Sequence, residues 1–284
     1  MKISITICFF ICAYSLSFAQ TSQFRAKLNR SDEPVYLRID QVSADIIGYD
    51  GDEIIIEAVP SVTGVKPAAA AGLDEIILPG RPKEDNIIKP SMREDTSGLS
   101  INIPPGNFSK LSIRVPKSII LFIRTDMNLI NGKITVNNIN SIDIEGTLAS
   151  VEVHNVTNFV VQGGGWHQGS RATGKVIISD VKWTDAPVII NGEPHHRTYI
   201  VGTTNSDIEL SIPADAKANF IFSSDYGKAY SNLDVKAQDV SEEFMIDYKR
   251  FYHRALALKS ISLNNGKVNT IINSSYGTIY LKKE

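Results

Sequence analysis

The sequence predicts an all-β protein, a single-stranded right-handed β-helix or β-solenoid, with a β-sandwich as the alternative. Three observations predict it. Apolar runs are short, rich in Ile and Val, and alternate with polar residues, as half-buried strands do. They recur about every nine residues with Asn, Gly or Asp between them. One stretch repeats itself without a gap. Lys133–Ala149 (KITVNNINSIDIEGTLA) over Ser150–Trp166 (SVEVHNVTNFVVQGGGW) aligns Ile134 with Val151, Val136 with Val153, Ile139 with Val156, Ile142 with Phe159 and Ile144 with Val161. Asn138 falls on Asn155 in the same register. Stacked apolar columns at a fixed period are what a solenoid needs, because each coil buries its apolar face only against its neighbours. The Asn column fits a recurring bend.

The chain begins with Met1-Lys2, an apolar run from Ile3 to Tyr14, and Ser17-Phe18-Ala19 before Gln20. This is the pattern of a secretory signal peptide spanning residues 1–19. The run is shorter than the roughly 20 apolar residues of a spanning helix, so no integral membrane segment is expected after cleavage. Both cysteines, Cys8 and Cys12, lie inside this segment. The remaining chain is therefore expected to have neither a disulfide framework nor thiolate ligands. Phe10-Ile11-Cys12 places large residues where a lipoprotein signal has a small one. The 29 basic side chains lose Lys2 with the signal, against 31 acidic ones, which gives no electrostatic case for nucleic acid. The following chain, residues 20–284, reads as one β domain of about 265 residues, extracytoplasmic in the periplasm, on the outer surface or secreted.

Along that domain, Val35–Ile39, Glu53–Glu57, Leu111–Val115 and Lys133–Val136 read as strands. Residues 60–98 carry five prolines and many charges and read as a long surface loop. A third copy of the repeat starts at Lys175 (KVIISDVKW), where a step of 17 would reach His167, so it arrives eight residues late. It places Val176, Ile178 and Val181 in the apolar columns and Asp180 in the Asn column. The delay locates a Gly-rich insertion at 162–174. The phrases GTTNSDI (202–208), SSDYGKA (223–229) and SSYGTI (274–279) read as turns ahead of strands. Residues 239–258 hold the one candidate helix, with Asp239 and Glu242 spaced as a capping box.

Several motifs invite chemistry. Gly169–Val176 (GSRATGKV) matches a phosphate-binding loop except that Val176 replaces the hydroxyl residue that would hold Mg²⁺. Because Lys175 and Val176 open a strand, the required helix N-terminus is missing, and no nucleotide or other cofactor is expected. Trp166, His167 and Arg171 in the insertion are the candidate ligand-contact loop, able to stack on and hydrogen-bond a sugar ring or a partner surface. His195-His196, with Glu193 nearby, would point to opposite faces of a strand, so no metal site is assigned. His154 takes an outward position in the second repeat. Asp143, Glu145 and Glu152 occupy outward polar positions and carry the rival reading, a polysaccharide-cleaving lyase or hydrolase. No zinc-protease, nucleophile-elbow or local triad signature occurs, so no catalytic residue is assigned and the protein is read as no enzyme.

Leu37–Ala58 (LRIDQVSADIIGYDGDEIIIEA) resembles the opening of a bacterial domain-of-unknown-function family named as a putative adhesin domain. Ile39, Ile46, Gly48, Tyr49, Asp50, Gly51, Asp52 and Glu53 carry the match. Leu111–Ile139 is similar to that family's strand, Val-Pro, strand, Asn-Gly, strand unit, and Asn265–Lys283 to its C-terminal strands. The resemblance implies a β-helical fold and an extracytoplasmic location, and it brings no catalytic residues with it. Together these readings make the expected function a non-catalytic, adhesin-like binding surface for a glycan or cell-surface protein, with a periplasmic structural or signalling accessory as a weaker option.

Overall fold

A computed structural model describes residues 23–30, 34–40, 42–60, 90–96, 98–104, 108–126, 132–147, 150–163, 174–181, 183, 188–190, 193–195, 199–203, 206–240, 258–266 and 268–284. In chain order the strands are β1 (Gln23–Lys27), β2 (Pro34–Asp40), β3 (Ser43–Tyr49), β4 (Glu53–Pro60), β5 (Ser91–Asp95), β6 (Gly98–Ile103), β7 (Phe108–Pro116) and β8 (Ile120–Asp126). They continue with β9 (Lys133–Asn137), β10 (Ser141–Thr147), β11 (Ser150–His154), β12 (Asn158–Gly163), β13 (Lys175–Ser179), β14 (Val188–Ile190), β15 (Glu193–His195) and β16 (Tyr199–Thr203). The remainder are β17 (Asp207–Ile212), β18 (Ala218–Ser224), β19 (Ala229–Ser231), β20 (Gln238–Asp239), β21 (Lys259–Leu263), β22 (Val268–Ser274) and β23 (Ile279–Lys283). Among the described residues there is no helix.

Two large mixed sheets hold all but one hairpin. The first runs β1-β4-β7-β3-β9-β11-β13-β17-β23-β19 and the second β20-β21-β18-β22-β16-β12-β10-β8-β2-β6-β5. Neither sheet closes on itself. Alternation decides which side chains go inside: Ile208, Leu210 and Ile212 of β17 are buried while Asp207, Glu209 and Ser211 face outward. Buried residues from both sheets belong to one cluster, so the apolar face of each sheet covers that of the other.

The repeat read from the sequence is the pairing register. Ile134 lies beside Val151 and Val136 beside Val153 in β9–β11, and Ile142 beside Phe159 and Ile144 beside Val161 in β10–β12, a step of 17 residues. The next step, Ser150 to Lys175, is 25 residues, as the insertion requires. The polar column is a row of bends. Asn138, Asn155 and Asp180 have φ of 61°, 50° and 57°, a left-handed geometry that Asn and Asp tolerate better than other side chains. Asn155 donates its amide to Asn138 Oδ1 at 3.3 Å, and Asn138 donates to the Gly48 carbonyl at 2.9 Å. Gly48 has to be glycine here: a Cβ would stand 1.8 Å from the Asn138 carbonyl oxygen.

The lateral order departs from chain order at both ends. The β2–β3 unit lies between β6–β7 and β8–β9, and the β22–β23 unit lies between β16–β17 and β18–β19. The β2–β3 and β22–β23 units are thus each flanked by paired strands on either side. Part of the expected 60–98 loop is strand: Ser91–Asp95 pairs antiparallel with β6, and Gly98 opens β6. Residues 61–89 lie outside the described residues. Asp239, taken as a helix cap, instead belongs to β20, pairs with β21 and binds Lys259 at 2.6 Å. Ladder pairing to β21 satisfies its backbone where a cap would have used the side chain. The rest of the expected helix, 241–257, lies outside the described residues, as does the segment 1–19. No helix among the described residues is long and apolar enough to cross a membrane.

Candidate binding site

Among the described residues a cleft of about 360 Å³ lies on the outer face of the second sheet, over β5, β6, β2 and β8. Its chemistry comes from Tyr36, Arg38, Met92, Arg93, Asn102 and Arg124. On β2, Val35, Leu37 and Ile39 are buried, so the period of two turns Tyr36 and Arg38 outward. On β8, Leu121 and Ile123 are buried and Phe122 and Arg124 turn the same way. Parallel pairing then sets Tyr36 beside Phe122 and Arg38 beside Arg124, with Ser100 and Asn102 of β6 flanking on the other side. The Tyr36 and Phe122 rings stack at 4.7 Å and 13°.

Two arginines side by side on one face repel, and like charges directly opposite destabilise a sheet. Carboxylates offset this. Arg38 Nε donates to Asp40 at 2.8 Å, and Arg124 reaches Asp143 at 3.2 Å and Glu145 at 2.9 Å. Arg93 lies 3.6 Å from Asp95. The result is a row of planar, oriented hydrogen-bonding groups next to a flat aromatic pair. Guanidinium forks bind paired oxygens in a fixed plane, and an aromatic ring offers a flat apolar seat.

The residues named from sequence are distributed as follows. Asp143 and Glu145 sit on β10 beside this cleft, both engaged by Arg124. Glu152 belongs to the other sheet, where Lys133 binds it at 2.7 Å. The three carboxylates therefore do not converge. His154 is on that same outer face, with Nδ1 2.8 Å from Ser179 Oγ and Nε2 3.8 Å from Glu152. Ser179 in turn donates to Asp180 at 2.7 Å. Lys175 and Val176 open strand β13, as the repeat predicts. Glu193 and His195 lie on β15, paired antiparallel with β14. His196 and the contact-loop residues Trp166, His167 and Arg171 lie outside the described residues. Among the described residues no cluster of three or more His, Cys, Asp or Glu side chains could hold a metal ion.

The cleft itself escaped the sequence reading, although a signal was there. Tyr36–Asp40 (YLRID) and Phe122–Asp126 (FIRTD) share an aromatic-apolar-Arg-x-Asp pattern, and they pair residue for residue. Nearly 90 residues separate them, far beyond the repeat's period of 17.

Comparison with known proteins finds one distant likeness. The chain matches the solved structure of a putative cell adhesion protein from Clostridium sporogenes ATCC 15579, with 10% identity, a TM-score of 0.40, and 93% of this chain and 100% of that one covered. A likeness at that level carries no argument about fold or function. No family model matches the chain, so the resemblance to the adhesin-named domain family has no such support. No curated protein matches it either.

Proposed function

We propose that this protein is an extracytoplasmic β-solenoid that works by presenting a binding surface, adhesin-like, to a glycan or cell-surface protein, with no chemistry of its own. The observation that carries the reading is the cleft formed by Tyr36, Arg38, Arg93 and Arg124, where oriented guanidinium groups stand beside a stacked aromatic pair. Parallel ladders with a step of 17 residues in both sheets and the left-handed Asn/Asp column support the solenoid form. The N-terminal segment with its apolar run supports export.

The test is a glycan and cell-surface binding screen of wild type beside Tyr36→Ala, Arg124→Ala and Trp166→Ala. Losing one charge-assisted hydrogen-bonding group should weaken binding about tenfold or more. Unchanged binding by both cleft variants would remove the cleft from the reading. Loss only in Trp166→Ala would move the site to the insertion.

A second reading, polysaccharide cleavage, is favoured by one observation: Asp143 and Glu145 flank Arg124 at the cleft margin. Release of new reducing ends from an acidic polysaccharide, abolished by Asp143→Asn, would establish it.

A further inference from the structure

Among the described residues the two sheets end on four outermost strands, and three of them end alike. β1 is antiparallel to β4 and carries Arg25 and Lys27, each beside a carboxylate, Glu53 at 3.2 Å and Asp52 at 3.5 Å. β5 is antiparallel to β6 and carries Arg93, Glu94 and Asp95. β20 is antiparallel to β21 and carries Asp239. Charge on an outermost strand is one way proteins stop a sheet edge from recruiting another strand.

The fourth edge, β19, is three residues long and lacks such a charge. Ala229, Tyr230 and Ser231 carry no charge, are all exposed, and pair in parallel with β23. Among the described residues no strand lies beyond them. This edge also ends a ladder of rings. Ser224–Tyr230 (SDYGKAY) and Ser274–Tyr280 (SSYGTIY) are the same phrase on adjacent rungs. In each, the serine hydroxyl accepts from the glycine N–H, at 2.8 Å for Ser224–Gly227 and 2.9 Å for Ser274–Gly277. Tyr226 then stacks on Tyr276 at 4.8 Å and 11°, and Tyr230 on Tyr280 at 5.8 Å and 18°. Tyr226 remains 74% and Tyr230 52% exposed, so the ladder stops with ring faces open to solvent.

We propose that β19 is a dimerisation edge, filled by the β19 of a second copy of this chain running antiparallel about a two-fold axis at Tyr230. Antiparallel pairing centred on Tyr230 sets it opposite the partner's Tyr230, and the column then runs Tyr280, Tyr230, the partner's Tyr230, the partner's Tyr280. The added strand continues the existing ring column without a break and meets no charge on its new neighbour. Such a contact is isologous and closes at two copies. Docking β19 on the β1 edge of a second molecule would instead set Arg25 and Lys27 against an uncharged strand and propagate a filament.

The test is molar mass by light scattering across a concentration series of the full chain, with Tyr230→Lys and Tyr230→Phe alongside. Wild type and Tyr230→Phe should approach twice the 31.2 kDa of one chain. Tyr230→Lys should stay at one chain mass with an unchanged far-UV spectrum, because its side chain replaces one that is half exposed. Amide exchange at 229–231 should slow as wild-type concentration rises. Wild type at one chain mass up to its solubility limit would overturn the proposal. So would a Tyr230→Lys variant that still dimerises, or a dimer whose 229–231 amides exchange as fast as in dilute protein. Slowing of those amides only on addition of a different protein would likewise overturn it, by assigning the edge to another partner.

Discussion

Replacing Asn138 separates backbone strain at this bend from the side chain's hydrogen bonding. Its backbone holds φ of 61°, and its amide donates to the Gly48 carbonyl at 2.9 Å. Alanine in left-handed geometry costs about 1–2 kcal/mol. The lost hydrogen bond adds about 1 kcal/mol. Asn138→Ala should therefore destabilise by about 2–3 kcal/mol, a fall in melting temperature of about 4–5 °C for a chain of this size. Asn138→Gly loses the hydrogen bond and pays glycine's extra unfolded-state entropy of about 0.5–1 kcal/mol, but meets no strain at positive φ. Asn138→Asp, which copies the residue at Asp180 in the same column, keeps the acceptor for Asn155 but turns a carboxylate oxygen toward the Gly48 carbonyl, so it should cost more than the roughly 1 kcal/mol of the hydrogen bond alone. Urea unfolding of the variants, with slopes unchanged from wild type, should rank alanine as more costly than glycine. If alanine proves no worse than glycine, backbone strain is not what selects Asn in this column, and the account of the bends is wrong.

Other outcomes follow from the same structure. Phe159 is 1% exposed and meets Trp183 edge-on at 5.7 Å and 81°, so Phe159→Ala should cost about 3–5 kcal/mol in urea unfolding, far more than Phe159→Leu. Glu209 is hydrogen-bonded by Lys175 at 2.6 Å and by Lys282, and these bonds hold its carboxyl below the ordinary carboxylate value, Lys175 most strongly. A lowered pKa in the folded state means stability that is fully present above the ordinary carboxylate value and is lost as pH falls through the lowered one. Glu209→Gln should therefore flatten stability against pH in that acid window and leave it unaltered in slope near neutrality. An acid titration of melting temperature with the wild-type slope in the variant would contradict this.

Much of the strand pattern was legible locally. The alternation of Ile208, Leu210 and Ile212 with polar neighbours follows from two-residue periodicity, and the buried faces lie where it puts them. The Asn138, Asn155 and Asp180 column was legible because a left-handed bend demands a particular residue type. Trp183 was read only as the end of the third copy, yet it is 3% exposed and wedges between Phe159 and Phe220, at 5.7 and 5.1 Å. A tryptophan just past a repeat carries no local mark of which rung it will meet. The strand β5 was hidden inside a proline-rich stretch, since a short charged run such as Ser91–Asp95 becomes a strand only by pairing with an edge already in place.

By itself the sequence determined the all-β class, the step of 17, the register of β9 on β11 and β10 on β12, and the bends between them. These depend on which side chains alternate and which tolerate positive φ, and both are properties of neighbouring residues. Only the tertiary structure decided that the β2–β3 and β22–β23 units lie inside their sheets, that Arg38 stands beside Arg124, and that β19 is an outermost strand among the described residues. One apolar rung covers another almost equally well, so lateral order is set by the whole set of rungs competing for neighbours. The cleft and the tyrosine edge are products of that order.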